Sequence, residues 1–275
     1  MSADRQVGVV TGAASGLGRA LAEEFARRDT DVVLLDRDAE RAATEAAALA
    51  EAHGVETTSA GVDVADTAQL EAAAAMVDER FGRADIVVSN VGVQLFGAVE
   101  RFTDDEWRWM LDVNVVGAAR TARTFLPLLR RAERPRLAFT TSSSVLDPAA
   151  RLGAYQATKF AVWGLAETLR LELADEVSVS ILFPSGMLSR HLETSTEAQP
   201  DHLRREIGEA EDFEAMMASN PDMASMPIAP EEAAARSVEA LLRGERYVIT
   251  HGDLRAALTR RDDALRRAAE EAAAG

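Results

Sequence analysis

Tyr155 and Lys159 stand four residues apart in the stretch Ser142–Gly164, S-S-S-V-L-D-P-A-A-R-L-G-A-Y-Q-A-T-K-F-A-V-W-G. On a helix that spacing puts both side chains on one face, one turn apart. Ser142 lies thirteen residues before the tyrosine, just after an apolar run that reads as a strand end. A phenol, with a pKa of roughly 10, is a useful acid or base near neutrality only when that value is lowered. An ammonium one turn away favours phenolate. A hydroxyl on the neighbouring strand can hold the oxygen of an alcohol or a carbonyl. Together the three suit proton transfer to or from a carbon-bound oxygen. A Tyr–Lys pair at this spacing is common on helices, so the weight falls on the elements that must position it.

At the other end of the chain, the apolar run Val7–Thr11 reads as a buried strand, followed by T-G-A-A-S-G-L-G (Thr11–Gly18) and an amphipathic segment through Arg28. Strand, glycine-rich turn and helix place backbone N–H groups around a pyrophosphate. Gly12 permits the tight turn, Gly16 lets a ligand approach the backbone, and Gly18 lets helix and strand pack closely. Asp31–Asp36 is a second strand ending in an acid about twenty residues after the glycines. A carboxylate there accepts hydrogen bonds from ribose hydroxyls and repels a 2′-phosphate, which favours NAD over NADP. Arg37, next in sequence, can pair with such a phosphate and leaves NADP open. Asp36 can instead be read as a cap for the helix starting near Asp38.

Further strands read at Val55–Val64, Asp85–Ser89, Arg136–Thr141, Val177–Phe183 and Tyr247–Thr250, with helices at Ala39–His53, Thr67–Phe81, Asp104–Arg131, Gly153–Ala174 and Pro230–Arg243. Asn114 falls in the middle of the Asp104–Arg131 helix, where asparagine is a poor fit. The sustained alternation predicts an α/β fold: one doubly wound parallel seven-stranded sheet with helices on both faces. Residues 1–252 form one catalytic domain in this reading. Within it, 187–229 is too long for an ordinary connection, carries Met216, Met217, Met223 and Met226, and reads as a lid over a site. Residues 253–275 read as a charged helical tail that frays into disorder.

The 275 residues carry a net charge of −16, which argues against nucleic acid and anionic membranes as partners. There are no cysteines, and His53, His191, His202 and His251 have no metal-ligand spacing, so no metal site is expected. Neither an apolar leader nor a run of membrane-spanning length is present, which predicts a cytoplasmic protein.

The sequence resembles the classical short-chain dehydrogenases/reductases. The matching pieces are T-G-A-A-S-G-L-G at 11–18, Asp36, Asp63-Val64, S-N-V-G at 89–92, Asn114, Ser142, Y-Q-A-T-K at 155–159 and P-S-G-M-L-S at 184–189, in order over roughly residues 5–250. The resemblance implies a Rossmann fold and a catalytic tetrad of Asn114, Ser142, Tyr155 and Lys159. It puts Gly12, Ser15, Gly16, Leu17 and Gly18 at the pyrophosphate, Asp36 and Arg37 at the adenosine ribose, and Asp63 and Val64 at adenine. Asn90 and Gly92 would line the cofactor cleft. Pro184, Gly186, Met187 and Ser189 would hold the carboxamide, with Tyr155 and Lys159 at the nicotinamide ribose. Asn114 would hold a water linking Lys159 to solvent. N-V-G and P-S-G depart from the usual N-A-G and P-G, and Ser143 competes with Ser142 as the catalytic serine.

The implied reaction is NAD-dependent interconversion of a secondary alcohol and its ketone, with hydride passing to or from the nicotinamide. Pocket candidates are Gln94, Leu95, Phe96, Ser142, Val145, Leu146, Met187, Leu192, Met216 and Met217. They are mostly apolar and fit a bulky alicyclic or aromatic alcohol. Other readings are an NADPH-dependent ketone reductase and a non-catalytic NAD(P)-binding scaffold or sensor. The sugar-nucleotide branch uses a different glycine spacing. The resemblance also implies a homotetramer or homodimer built on the helices Asp104–Arg131 and Gly153–Ala174, where Ala157, Ala161 and Gly164 permit close packing.

Overall fold

The computed structural model describes residues 5–204, 210–220 and 227–274. Its strands are Val7–Thr11 (β1), Asp31–Asp36 (β2), Thr57–Gly61 (β3), Ile86–Ser89 (β4), Arg136–Thr140 (β5), Ser178–Phe183 (β6) and Tyr247–Ile249 (β7). They form one seven-stranded parallel sheet in the order β3-β2-β1-β4-β5-β6-β7. The helices are Gly16–Arg27 (α1), Ala39–His53 (α2), Thr67–Phe81 (α3), Asp104–Leu111 (α4), Gly117–Leu129 (α5), Gly153–Glu172 (α6), His191–Ala198 (α7), Ala210–Ser219 (α8), Pro230–Leu242 (α9) and Arg255–Ala274 (α10).

Apolar residues on both sides of each central strand demand cover on both faces. Val9, Val33, Val87, Leu137, Phe139 and Ile181 pack with Leu70 and Val77 of α3, Phe125 of α5 and Val162 of α6. Their neighbours Val10, Val32, Leu34, Val88 and Leu182 face the other way, onto Leu21 and Phe25 of α1, Leu49 of α2 and Val238 of α9. Each such fully buried side chain stabilises the fold by roughly 1.5–3 kcal/mol.

The chain leaves β1 toward β2 on one side and returns to β4 on the other. The sheet therefore parts between the carboxyl ends of β1 and β4, and parallel sheets bind ligands at such a parting.

Two expected elements differ. The helix predicted over Asp104–Arg131 is α4 and α5 joined by a π-turn, Asp112–Val116, with Gly117 N–H reaching back to the Asp112 carbonyl. The cause is Asn114, whose side chain is bonded to partners outside the helix. The tail expected to fray is helical through Ala274, with little of it buried besides Ala257. Arg261 on this helix lies 5.7 Å from the centre of the Trp163 ring of α6. No helix among the described residues is long and apolar enough to cross a membrane.

Candidate active site

A cleft of about 990 Å³ opens where the sheet parts. Gly12, Ser15, Gly16, Leu17 and Gly18 form one wall. Gly12 and Gly16 take φ of +68° and +53°, so the turn reverses tightly enough to start α1 at the sheet edge. Gly18 meets a harder limit: a Cβ there would lie 2.0 Å from the Gly12 carbonyl oxygen. Ser15 caps α1 in position, but its hydroxyl makes no capping bond, and no acid sits in the first turn. The orphan N–H groups of that turn are thus left for an anion.

At the carboxyl end of β2, Asp36 does not cap α2. Asp38 does, accepting from Arg41 N at 3.0 Å. The Asp36 carboxylate takes the N–H groups of Ala14 at 2.9 Å and Asp38 at 3.0 Å. Each oxygen keeps a lone pair for a ligand hydroxyl. Arg37 also lines the cleft, and its Nη1 and Nη2 donate to the carbonyls of Ala198 and Glu197, both at 3.0 Å. Asp63 and Val64 also line the cleft.

Asn90 ties the parting strands together. Its Nδ2 donates to Thr11 O at 3.2 Å and its Oδ1 accepts from Thr140 Oγ1 at 3.1 Å. A Cβ on Gly92 would fall 2.7 Å from Lys159 Nζ, so the lysine reaches the cleft only past a residue without a side chain.

Tyr155 and Lys159 sit on α6 as the spacing predicts, 8% and 2% exposed. Lys159 Nζ donates to Thr140 O at 3.1 Å and lies 5.6 Å from the centre of the Tyr155 ring. The Ser142 hydroxyl lies near enough to the Tyr155 phenol to act on its protonation. Ser142 Oγ also accepts from the Ser144 hydroxyl at 2.9 Å. Ser143 instead donates its backbone N–H to Pro184 O at 2.8 Å. Ser142 is therefore the serine that meets the phenol.

The expected acidification of the phenol by Lys159 does not emerge from the chain's own residues. Burial pushes Tyr155 up to about 12, and the neighbouring Ser142 hydroxyl only opposes this. Burial likewise brings Lys159 down to about 8. Desolvation penalises the charged form of each.

Asn114, 1% exposed, does not line the cleft but braces it. Its Oδ1 accepts from Val93 N at 2.8 Å, and its Nδ2 donates to Val93 O and Thr158 Oγ1, both at 2.9 Å. Both amide protons are thus committed, and only its carbonyl oxygens can face a water.

Pro184, Gly186, Met187 and Ser189 line the far side, beyond β6. His251 secures that loop. Its Nε2 lies 2.7 Å from Gly186 O, which can only accept, so Nε2 carries the proton and Nδ1 accepts from Thr250 Oγ1 at 2.8 Å.

Of the pocket candidates, Gln94, Ser142, Met187, Leu192, Met216 and Met217 line the cleft. Phe96 lies behind them, clustered with Leu152, Tyr155 and Met216. Leu146 does not reach the cleft. It follows the short turn Ser143–Val145, which packs on α6, and with Leu95 and Val145 it is buried in the main core. Met223 and Met226 lie outside the described residues.

Helix α8 is bolted down at several points. Asp212, 5% exposed, pairs with Arg101 at 2.5 Å and Arg151 at 3.2 Å. Ser219 Oγ accepts from Ala150 N at 2.8 Å, and Asn220 Nδ2 donates to Asp147 O at 3.1 Å.

Among the cleft residues that the spacing did not single out is His191, the first residue of α7. Its ring centre is 6.3 Å from that of Tyr155. Burial, aided by the Lys159 charge, brings its pKa down to about 4. The available signal was its place just beyond the carboxyl end of a strand, which a search for metal-ligand spacing ignores.

The short chain dehydrogenase family model matches residues 6–200. The chain belongs to that family. Its members are oxidoreductases, and this chain is one of them. It is 32% identical over 252 residues to 11-beta-hydroxysteroid dehydrogenase A of Sesamum indicum, covering 88% of this chain and 67% of the relative. It is 33% identical over 183 residues to an uncharacterized NAD-dependent oxidoreductase of Mycobacterium tuberculosis, covering 62% of this chain and 66% of the relative. Among solved structures, a short chain dehydrogenase/reductase from Burkholderia phymatum in complex with NAD superposes with a TM-score of 0.81 at 31% identity, covering 91% of this chain and 90% of that one.

Proposed function

We propose that this oxidoreductase interconverts a bulky, uncharged secondary alcohol and its ketone with NAD. The observation that carries the reading is that Ser142, Tyr155 and Lys159 line the same cleft as the glycine turn. The residues fit a dinucleotide. The uncapped start of α1 suits the pyrophosphate, Asp36 the adenosine ribose, Asp63 and Val64 adenine, and Lys159 with Tyr155 the second ribose. Pro184, Gly186, Met187 and Ser189 suit the carboxamide. When bound, the dinucleotide supplies exchange of a hydride with the substrate carbon.

The chain's own residues handle the proton. In reduction, Tyr155 Oη donates to the ketone oxygen, and burial keeps that phenol protonated for the purpose. In oxidation the same oxygen, as phenolate, takes the hydroxyl proton. Ser142 orients the substrate oxygen and stabilises charge developing on it. Lys159 offsets negative charge on Tyr155, and a water held at Asn114 passes the proton outward. We read residues 1–252 as the catalytic domain. Residues 187–229 are its lid, with α7 and α8 shutting water from the apolar side of the cleft, and α10 is an added surface helix.

NAD is favoured because Asp36 keeps spare lone pairs while Arg37 is engaged by the lid carbonyls. Turnover of hydrophobic secondary alcohols, followed by NADH absorbance with NAD and NADP in parallel, tests this. Asp36→Ala should raise the KM for NAD about tenfold or more, the worth of a hydrogen bond to a charged group, and narrow the preference over NADP. An unchanged preference would count against the assignment.

The helices carrying the site also suit self-association. Phe160 and Val116 are 44% and 42% exposed, and a Cβ on Gly164 would meet nothing within 4 Å. Light scattering that returned a monomer would refute the oligomer.

A further inference from the structure

We propose that His191 recognises a second, uncharged oxygen of the substrate, close to the reacting one, so that the cleft selects diols or hydroxy ketones on an apolar frame over plain alcohols. The inference rests on the alcohol–ketone reading above.

Its basis is an orphan atom. His191 Nε2 is covered, yet it has no hydrogen-bond partner among the described residues. Such atoms are rare in folded proteins, and each calls for a reason. An apolar ring would pack against Tyr155 as well without leaving a nitrogen unpaired. The residue lines the cleft, and its ring lies 6.3 Å from that of Tyr155. One small substrate can therefore touch both.

The imidazole is also held in place. Ser195 Oγ donates to the His191 carbonyl at 2.7 Å and accepts from Gln94 N at 3.0 Å. Ser195 is itself 1% exposed. This pins the first turn of α7 to the loop after β4, so the ring is presented by fixed backbone on two sides.

The chemistry of the partner follows from charge. Lys159 and burial both oppose an imidazolium. The neutral ring has one N–H donor and one acceptor, which suits a hydroxyl or a carbonyl. A substrate cation would be repelled by Lys159. A carboxylate would lose its water among Phe213, Met216, Met217 and Leu152, which share the cleft. Tyr155 and Ser142 take the reacting oxygen, so His191 is left for another one.

The test compares indanol with indanediols whose second hydroxyl is one or two carbons from the carbinol. In the wild-type chain with NAD, the better diol should exceed indanol in kcat/KM by about tenfold, the worth of one hydrogen bond in a covered site. His191→Phe should bring the ratio near one, and His191→Gln, which keeps a donor and an acceptor, should recover part of it. A ratio near one in the wild type, or one unchanged in His191→Phe, overturns the proposal. Calorimetry in a Tyr155→Phe background saturated with NAD makes the same comparison without turnover. There too the diol should bind about tenfold tighter only when His191 is present, and equal affinities overturn the proposal. Discrimination by binding with no turnover of any alcohol by the wild type would sink the alcohol–ketone reading and leave His191 standing.

Discussion

Tyr155→Phe should keep the fold and dinucleotide binding and lose turnover by about 10²–10⁴, the scale of a positioned acid–base group. The change removes one oxygen and leaves the ring, which packs with Phe96, Leu152 and Met216. Thermal denaturation should therefore be nearly unchanged while the rate collapses. The pH profile carries a second signature. With the phenol held up at about 12 by burial, the phenolate fraction grows about tenfold per pH unit below that value. Alcohol oxidation should thus climb with pH, whereas ketone reduction, which uses the phenol, stays level over the same range. A change of slope near 8 would mark Lys159 giving up its charge. A Phe variant within tenfold of wild type, or one that keeps the climb, would remove Tyr155 from the reaction.

Gly18→Ala should damage stability and cofactor affinity together. The added carbon would sit 2.0 Å from the Gly12 carbonyl oxygen and 2.7 Å from Asn90 Nδ2. The first neighbour is backbone, fixed by the parallel pairing of β1 on both sides. It cannot swing aside as a side chain would. Overpacking of this kind costs about 3 kcal/mol, a Tm fall of roughly 6–12 °C. The glycine turn proposed to cradle the pyrophosphate is what must yield, so dinucleotide Kd should rise about a hundredfold by calorimetry. Gly54→Ala offers the contrast. Its φ is +67°, but a Cβ there meets nothing within 4 Å. It should lose about 1 kcal/mol from backbone strain and leave the dinucleotide Kd alone. Equal behaviour of the two variants would show that close packing at Gly18 is not what shapes the loop.

Much of this architecture is legible in the residues because the central strands are doubly covered. Val9–Val10 and Val32–Val33 must be apolar on both sides, and glycines or acids mark where they end. The glycine turn, Asp36 and the Tyr155–Lys159 pair are local patterns, so spacing alone finds them. What spacing cannot show depends on partners far along the chain. The π-turn at Asn114 is set by Val93 and Thr158, 21 and 44 residues away. Arg37 reads as a phosphate ligand until the carbonyls 160 and 161 residues later take its guanidinium. Leu146 and Leu192 look alike as apolar residues, and only packing separates core from cleft. His191 offered no pattern, because a lone imidazole gains meaning only from what it stands beside.

The bond from His251 to the Gly186 carbonyl bears on how the protein is made. One wall of the cleft is in place once the first strands and α1 have formed. The opposite loop gains its last tie from residue 251, across a sheet edge that β7 must first complete. A chain emerging from the ribosome at about 5–20 residues per second thus exposes its glycine turn for many seconds before the facing wall is locked. Nascent chains stalled short of that histidine would carry most of the sheet and an unfinished site.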